Sequence, residues 1–196
     1  TNPKLADKKK AYQAYIAKML TLEGWPDAEK NAQAVVDLET ALAKVEVPRD
    51  QTRDPLKTYN PMPVSELQKL APDFDWATFL ISAGLPAEGL ENRKIDVREP
   101  AGIKAMATVL KGADIGTLRA WLAFHLADNA AAYLSSTFYD ASFEFNSHTL
   151  SGVAQQSPRW KRAVRVTNGA LGWGLGREYF ARYFPPSAQA QLTSGV

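Results

Sequence analysis

The segment from Thr167 to Phe184, TNGALGWGLGREYFARYF, places four glycines within eight residues and contains a literal Gly-x-Gly. A phosphate-binding glycine loop follows a buried strand and precedes a helix, so that backbone N–H groups at the helix start point at the anion. Here the preceding residues, SPRWKRAVRVT, predict a helix instead, with Ser157 as N-cap and Pro158 at the first helical position. The sequence also lacks a Gly-Lys-Ser/Thr triplet. We therefore predict one helix from Pro158 to about Phe184, which favours a helical protein over a nucleotide-binding α/β fold.

Three of these glycines share one face of the predicted helix. At about 100° per residue, Gly169, Gly172 and Gly176 cluster on one side. Larger side chains lie on the adjoining face: Trp160, Val164, Thr167, Leu171 and Leu175. Each glycine costs about 1 kcal/mol relative to alanine inside a helix, so three on one face predict a second helix packed unusually close. A hairpin turn at Asn168-Gly169 is the alternative, and the helical clustering argues against it.

Most of the remaining sequence is also predicted to be helical. In the first helix, apolar and aromatic residues recur at helical spacing: Tyr12, Tyr15, Ile16, Met19 and Leu22. A single stripe marks the second helix: Val35, Leu38, Leu42 and Val45. Further helices are predicted at Val64–Leu70, Asp75–Ala83, Pro100–Leu110 and Ile115–Leu134. The segment from Pro48 to Pro63 is predicted to be irregular, and RKIDVRE is the one credible strand. The fold class is therefore mainly α, an irregular multi-helix bundle with at most one short strand or hairpin.

Composition narrows the functional classes. The 196 residues are 45% hydrophobic and 22% charged, which suits a globular core, and a net charge of +2 calls for neither nucleic acid nor an anionic membrane as partner. No apolar run approaches the ~20 residues that span a bilayer. Without cysteine the chain has no disulfide and no thiolate metal site. The chain begins Thr1-Asn2-Pro3, and we expect it to be a processed protein or an excised piece of a larger one.

Basic residues are concentrated in the glycine-containing helix: Arg159, Lys161, Arg162, Arg165, Arg177 and Arg182. Basic residues next to tryptophans can bind nucleic acid. These charges are spread around the helix instead of forming a stripe, so a solvated helix is the preferred interpretation. The Lys8-Lys9-Lys10 run is likewise predicted to be the solvated first turns of a helix.

The two histidines are the candidates for metal binding. His125 is followed three residues later by Asp128, which brings two ligand types to one helix face, yet a zinc site needs three or four convergent ligands. We therefore predict a hydrogen-bonded core or boundary histidine. His148, in EFNSHTLSG, is predicted to have no carboxylate at ligand spacing and to be structural or exposed. No Gly-x-Ser-x-Gly elbow and no marked acid–base carboxylate pair is present.

The segment RDPLKTYNPMPVSELQKLAPDFDWATFL resembles a signature of the neprilysin family of zinc metallopeptidases, which includes the endothelin-converting enzymes and bacterial oligopeptidases. The matching positions are Arg53-Asp54, Tyr59-Asn60-Pro61-Met62, Leu67, Trp76 and Phe79. DLETALA is similar to the family's Leu-Glu helix. Downstream, LRAWLAFHLADNAAAYLS, the phenylalanines before LSG, RWKRAV and GALGWGLGREYF follow in the family's order, so the resemblance extends from about Lys10 to Pro186. The bacterial branch fits best, because Ala163 stands where animal members have a disulfide cysteine.

The resemblance implies a zinc enzyme whose chemistry lies outside this segment. In the family a His-Glu-x-x-His motif supplies two zinc ligands and the general base, and a downstream glutamate supplies the third ligand. This chain contains no such motif, and Leu126 follows His125 where the base would have to be glutamate. No catalytic, cofactor-binding or metal-binding residue is therefore assigned here. The zinc cofactor is expected in the missing catalytic lobe.

The role implied for this segment is architectural. Residues 1–196 are expected to be one helical domain, an excised part of the N-terminal lobe that caps the catalytic lobe, walls the substrate cavity and limits it to short peptides. Expected partners are the catalytic lobe of the same polypeptide and, through it, short peptides, in a periplasmic or extracellular location. An apolar face exposed by excision would allow self-association. The alternative is a free-standing helical protein-interaction domain without enzymatic activity, and a His-Glu-x-x-His motif downstream in the gene would distinguish the two.

Overall fold

Helical periodicity dominates the chain, and the computed structural model, which describes residues 3–194, is accordingly built mainly from α-helices. Among the described residues these are α1 (Pro3–Leu22), α2 (Ala28–Val45), α3 (Pro55–Thr58), α4 (Val64–Leu70), α5 (Trp76–Ser82), α6 (Pro100–Gly112), α7 (Ile115–Ala130), α8 (Ser136–Ser142), α9 (Arg159–Tyr183) and α10 (Pro186–Ser194). Short 3₁₀ turns lie at Gln51–Arg53, Leu90–Asn92 and Ala131–Tyr133, and a π-helix lies at Phe143–Thr149. The prediction of a mainly α fold with at most one short strand or hairpin is confirmed.

Two three-residue strands, β1 (Pro61–Pro63) and β2 (Lys94–Asp96), pair antiparallel with Met62 opposite Ile95. β2 is the strand predicted in RKIDVRE, whereas β1 lies in the segment predicted to be irregular. The sequence did not predict β1 because this strand contains two prolines. Proline cannot donate a ladder hydrogen bond and is confined to edge strands. In a two-stranded sheet both strands are edges, so the prolines are tolerated.

Aspartate side chains fix the starts of three helices. Asp54, Asp75 and Asp114 each accept a hydrogen bond of 3.0 Å from a backbone N–H in the first turn of α3, α5 and α7, respectively. These contacts satisfy N–H groups that have no partner within the helix. The cap predicted at Ser157 is wrong. Pro158 occupies the N-cap position with an extended backbone, so α9 begins one residue later, at Arg159, without a side-chain cap.

The described chain divides into two compact units, residues 3–151 and residues 152–194. In the first unit α1, α2 and α7 pack on one another, and α1 also packs on α8 and the π-helix. Their shared core consists of Tyr15, Ile16, Met19, Leu20, Ala32, Val35, Val36, Ala120, Phe124, Ala127, Ala131 and Phe145. The Tyr15 ring stacks on Phe145 with centroids 4.8 Å apart and meets Phe124 edge-on at 5.7 Å. Of the predicted stripes, Tyr15, Ile16 and Met19 on α1 and Val35 on α2 belong to this core, whereas Leu42 and Val45 are only partly buried.

The second unit contains α9 and α10, and none of their described residues is buried. The predicted long helix is confirmed, but its backbone is kinked at Leu171, where φ is −117° and ψ is 25°. Gly169 lies inside the helix, which rules out the alternative hairpin turn. Within this unit no heavy atom lies within 4 Å of a Cβ placed at Gly169, Gly172 or Gly176, so the predicted close helix contact is not made there.

Candidate functional site

Glu39, on α2, lies at the centre of a polar cluster with side chains from α1 and α7. Its Oε1 atom accepts hydrogen bonds from the Tyr12 hydroxyl (3.1 Å) and the Trp121 indole N–H (3.2 Å) and lies 2.8 Å from Nε2 of His125. We call these four residues the Glu39 cluster. The Glu39 side chain is 23% exposed and that of His125 36%. His125 is therefore a hydrogen-bonded boundary histidine, as the sequence predicts.

Asp128 lies three residues after His125 but belongs to a different network. Its Oδ1 atom accepts hydrogen bonds from the Tyr15 hydroxyl (2.5 Å) and from the Asn146 side-chain amide (3.3 Å). The His-x-x-Asp pair therefore does not converge on one point. Among residues 3–194, no group of three or more His, Asp or Glu side chains is arranged to hold a metal ion.

The two tyrosines that bind these carboxylates are held in their neutral forms. Burial raises the pKa of the Tyr12 hydroxyl well above its usual value, and the charge of Glu39 raises it further. Burial also raises the pKa of Tyr15, followed by its hydrogen bond to Asp128. Both effects disfavour the phenolate, because it would be poorly solvated and close to a carboxylate. Tyr12 and Tyr15 therefore act as hydrogen-bond donors that tie α1 to α2 and α7.

His148 has a carboxylate partner, contrary to the prediction. In the π-helix its Nδ1 atom lies 2.8 Å from Oε1 of Glu144, four residues earlier. Both side chains are more than half exposed. A lone exposed pair of this kind contributes little to stability. The prediction that His148 is exposed is therefore confirmed, whereas the prediction that it has no carboxylate nearby is wrong.

Two residues that carry the family resemblance, Asn60 and Trp76, make hydrogen bonds that hold neighbouring elements together. The Asn60 side-chain amide donates to the Lys57 carbonyl (2.8 Å), and its backbone N–H donates to the Asp96 carboxylate (2.7 Å). Its carbonyl accepts from the Val97 N–H at 3.2 Å. Asn60 therefore joins the end of α3 to the β1–β2 strand pair. The Trp76 indole donates to the Ala71 carbonyl at 3.0 Å, which holds α5 against the end of α4.

A groove of about 510 Å³ lies between α1, α8 and the π-helix. The buried rings of Tyr15 and Phe145 line it, together with the exposed side chains of Lys18, Asp140 and Glu144. An apolar floor bordered by charges of both signs is typical of a protein contact surface with a polar rim. This groove is therefore a candidate contact surface of the first unit.

Comparison with known proteins identifies the family. Residues 1–195 match the model of the N-terminal part of peptidase family M13. The chain belongs to peptidase family M13. M13 relatives include human endothelin-converting enzyme 1, which is 28% identical over 185 residues, and the guinea-pig (Cavia porcellus) enzyme, which is 30% identical over 168 residues. Neprilysin-11 of Caenorhabditis elegans is 27% identical over 188 residues.

Solved M13 structures share this fold. The zinc metalloprotease Zmp1 of Mycobacterium tuberculosis, in complex with an inhibitor, matches with a TM-score of 0.87 and 26% identity over 99% of this chain. Its open state matches with a TM-score of 0.85 and 28% identity over 96% of this chain. The resemblance to neprilysin-like zinc metallopeptidases is thereby confirmed.

The chain spans only a fraction of these M13 proteins. The matches cover 84–93% of this chain but 22–24% of the curated relatives, and 29% of the Zmp1 chain. No helix among residues 3–194 is both long and apolar enough to cross a membrane.

Sequence reasoning did not identify Glu39 as the centre of a cluster. The available signal was DLETALA, the segment similar to the Leu-Glu helix of the M13 family, in which Glu39 is the glutamate. Tyr12 is 27 positions away from Glu39 and His125 is 86 positions away. A local pattern does not pair residues at such separations.

Proposed function

We propose that this chain is a non-catalytic helical segment of a neprilysin-like zinc metalloendopeptidase, and that it helps to wall the substrate cavity and restrict it to short peptides. The observation that supports this most directly is the M13 match over residues 1–195 together with coverage of only 22–29% of full-length relatives. The parent is then a peptide-bond hydrolase, and its zinc site lies in the remaining polypeptide.

The properties of the first unit support a wall. Three helices share a core with several side chains that are completely buried, among them Ile16, Met19 and Leu20. The Glu39 cluster and the Tyr15–Asp128 bond add polar links between the same helices. Close packing of this kind resists deformation, which is a requirement for a wall that excludes large substrates. A periplasmic or extracellular location belongs to the same proposal and is supported by the family resemblance.

The test uses the full-length parent and a series of quenched fluorescent peptides from about 5 to about 50 residues that share one cleavage site. We expect kcat/KM to fall steeply with peptide length, because only short peptides enter the cavity. In the parent, Phe124→Ala loosens the core of the first unit and should raise the ratio of long-peptide to short-peptide cleavage several-fold. Phe124→Leu, which keeps an apolar side chain, is the matched control and should leave the ratio near that of wild type.

Equal cleavage of short and long peptides by the wild-type parent would contradict the cavity-wall role. The free-standing alternative predicts a different gene. It requires a reading frame without a downstream His-Glu-x-x-His motif and a product without zinc-dependent hydrolysis. Sequencing the gene and measuring chelator-sensitive cleavage of the shortest peptide separate the two functions.

A further inference from the structure

The surface of α9 carries large apolar side chains without any buried residue. Trp173 is 98% exposed, and Phe180, on the same side of the helix two turns further along, is 48% exposed. Gly169, Gly172 and Gly176 lie between and beside these rings and leave a groove of about 680 Å³ along the helix. A helix with long exposed rings and a glycine floor exposes its backbone to close approach.

The exposure of the Trp173 and Phe180 rings is unusual for the surface of a monomeric protein. Monomeric proteins seldom expose contiguous apolar patches of more than a few hundred Å². Three glycines also weaken a helix relative to alanine, and within the second unit nothing occupies the space that they leave. The exposed rings and the glycines are both unfavourable in an uncovered helix. Both are accounted for when another element of the protein covers this face of α9.

We infer that a helix from the remaining polypeptide of the parent enzyme binds in the groove of α9. The groove is formed by Gly169, Gly172, Gly176, Trp173 and Phe180. The helix that binds there has an apolar ridge flanked by acidic residues. The inference rests on the proposed function, since it requires that remaining polypeptide. Full-length relatives supply the source of the occupant, because about three-quarters of their length lies outside the matched segment. The glycine floor permits a backbone approach closer than ordinary helix packing allows.

The excess of basic residues on α9 indicates which side chains should flank the apolar ridge of the bound helix. Along Arg159–Tyr183 the helix carries one lysine and five arginines but a single acidic residue, Glu178. Arg177 lines the groove next to Gly176. Arginine pairs well with carboxylates through two parallel hydrogen bonds, so the helix that fills the groove is expected to present aspartate or glutamate toward it.

The test is site-specific thiol labelling. This chain has no cysteine, so Gly172→Cys places one thiol in the groove, whereas Ala181→Cys places one on α9 about 140° around the helix from Gly176. Maleimide labelling, read at the introduced site by mass spectrometry, is compared between the 196-residue chain and the full-length parent. In the isolated chain we expect both sites to react rapidly. In the parent we expect Gly172→Cys to react at least about tenfold more slowly, since a covered thiol reacts only through local opening, and Ala181→Cys to change much less.

A second measurement uses no substitution in the groove. Hydroxyl-radical footprinting of the wild-type proteins should show oxidation of Trp173 in the isolated chain and its protection in the parent. Equal reactivity of Trp173 and of the Gly172→Cys thiol in both proteins would overturn the inference, even if the parent cleaves short peptides normally. Protection that appears in the isolated chain and rises with its concentration would also overturn it, because a second copy would then fill the groove. A gene without a downstream catalytic region would overturn the proposed function itself.

Discussion

The Nε2 atom of His125 lies 2.8 Å from the Oε1 atom of Glu39, and 86 positions of sequence separate the two residues. The same oxygen accepts the hydroxyl of Tyr12 and the indole N–H of Trp121. One carboxylate oxygen thus connects α2 with both α1 and α7. The histidine that first suggests a metal ligand is part of the framework of the first unit.

Removing this carboxylate should weaken the first unit. We expect Glu39→Ala to lower the free energy of unfolding by about 2–3 kcal/mol, because three partly buried donors lose a charged acceptor. Glu39→Gln keeps an acceptor oxygen and should cost less. Glu46→Ala, at an exposed position after α2, is the control and should stay within about 0.5 kcal/mol of wild type. Urea titrations decide the matter, and equal effects of Glu39→Ala and Glu46→Ala would contradict the role of the cluster.

Stability should depend on the tyrosine hydroxyls at alkaline pH. The pKa values of Tyr12 and Tyr15 are raised in the folded protein, so their contribution is fully present below the unfolded value of about 10. It is lost as the pH rises beyond that value, with a slope of up to about 1.4 kcal/mol per pH unit for each tyrosine. Tyr15→Phe should flatten this decline above pH ~10. Tyr133→Phe, at a position that is 73% exposed, is the control for removing a tyrosine hydroxyl from the surface. Urea unfolding across this range measures the slopes, and parallel curves for the three proteins would show that Tyr15 does not contribute.

Two nearby positions on α7 should respond very differently to truncation. Phe124 is 1% exposed and Leu126 is 70% exposed. Phe124→Ala should cost about 3–5 kcal/mol, because it leaves a cavity in a close-packed core. Leu126→Ala should change the stability of this chain by less than about 0.5 kcal/mol. Thermal and urea unfolding of both variants test the assignment of the buried face, and similar losses at the two positions would refute it.

The 196-residue chain should bind no zinc stoichiometrically and should cleave no peptide. It has no His-Glu-x-x-His motif to provide two ligands and a general base. Metal analysis after exhaustive dialysis and a chelator-controlled peptide assay provide the measurements. One zinc per chain, or cleavage that a chelator abolishes, would disprove this prediction.

Replacing Gly172 by alanine should affect the stability of the isolated chain and of the full-length parent differently. In the isolated chain nothing lies within 4 Å of its Cβ position, so Gly172→Ala should increase the helix content of α9 and stabilise it by up to about 1 kcal/mol. In the full-length parent the same change should be neutral or destabilising, because the proposed helix contact has no room for a methyl group. Gly152→Ala is the contrasting variant, since φ is 71° at Gly152 and a side chain there is strained. Circular dichroism and thermal melts report both effects, and a stabilising effect in the parent as well would argue against a packed groove.

Helix positions could be read from the sequence because their signals are local. Val64–Leu70 is predicted with the bounds that the structure shows, and Pro100–Leu110 differs from α6 by two residues at its end. Errors arise where a neighbouring residue changes the local geometry. Pro158 displaces the expected cap at Ser157. The contact between Glu144 and His148 is different, because its i,i+4 spacing is already present in the sequence.

The sequence by itself determined the helical class, the main apolar stripes and the order of motifs that leads to peptidase family M13. These depend on periodicity and short spacings, which neighbouring side chains set through backbone geometry. Only the tertiary structure decided that Glu39 joins Tyr12 to His125, that β1 pairs with β2, and that the glycine face of α9 is open within its unit. Such pairings join residues far apart in sequence, and their energy depends on which surfaces meet when the chain packs, which a local pattern does not specify.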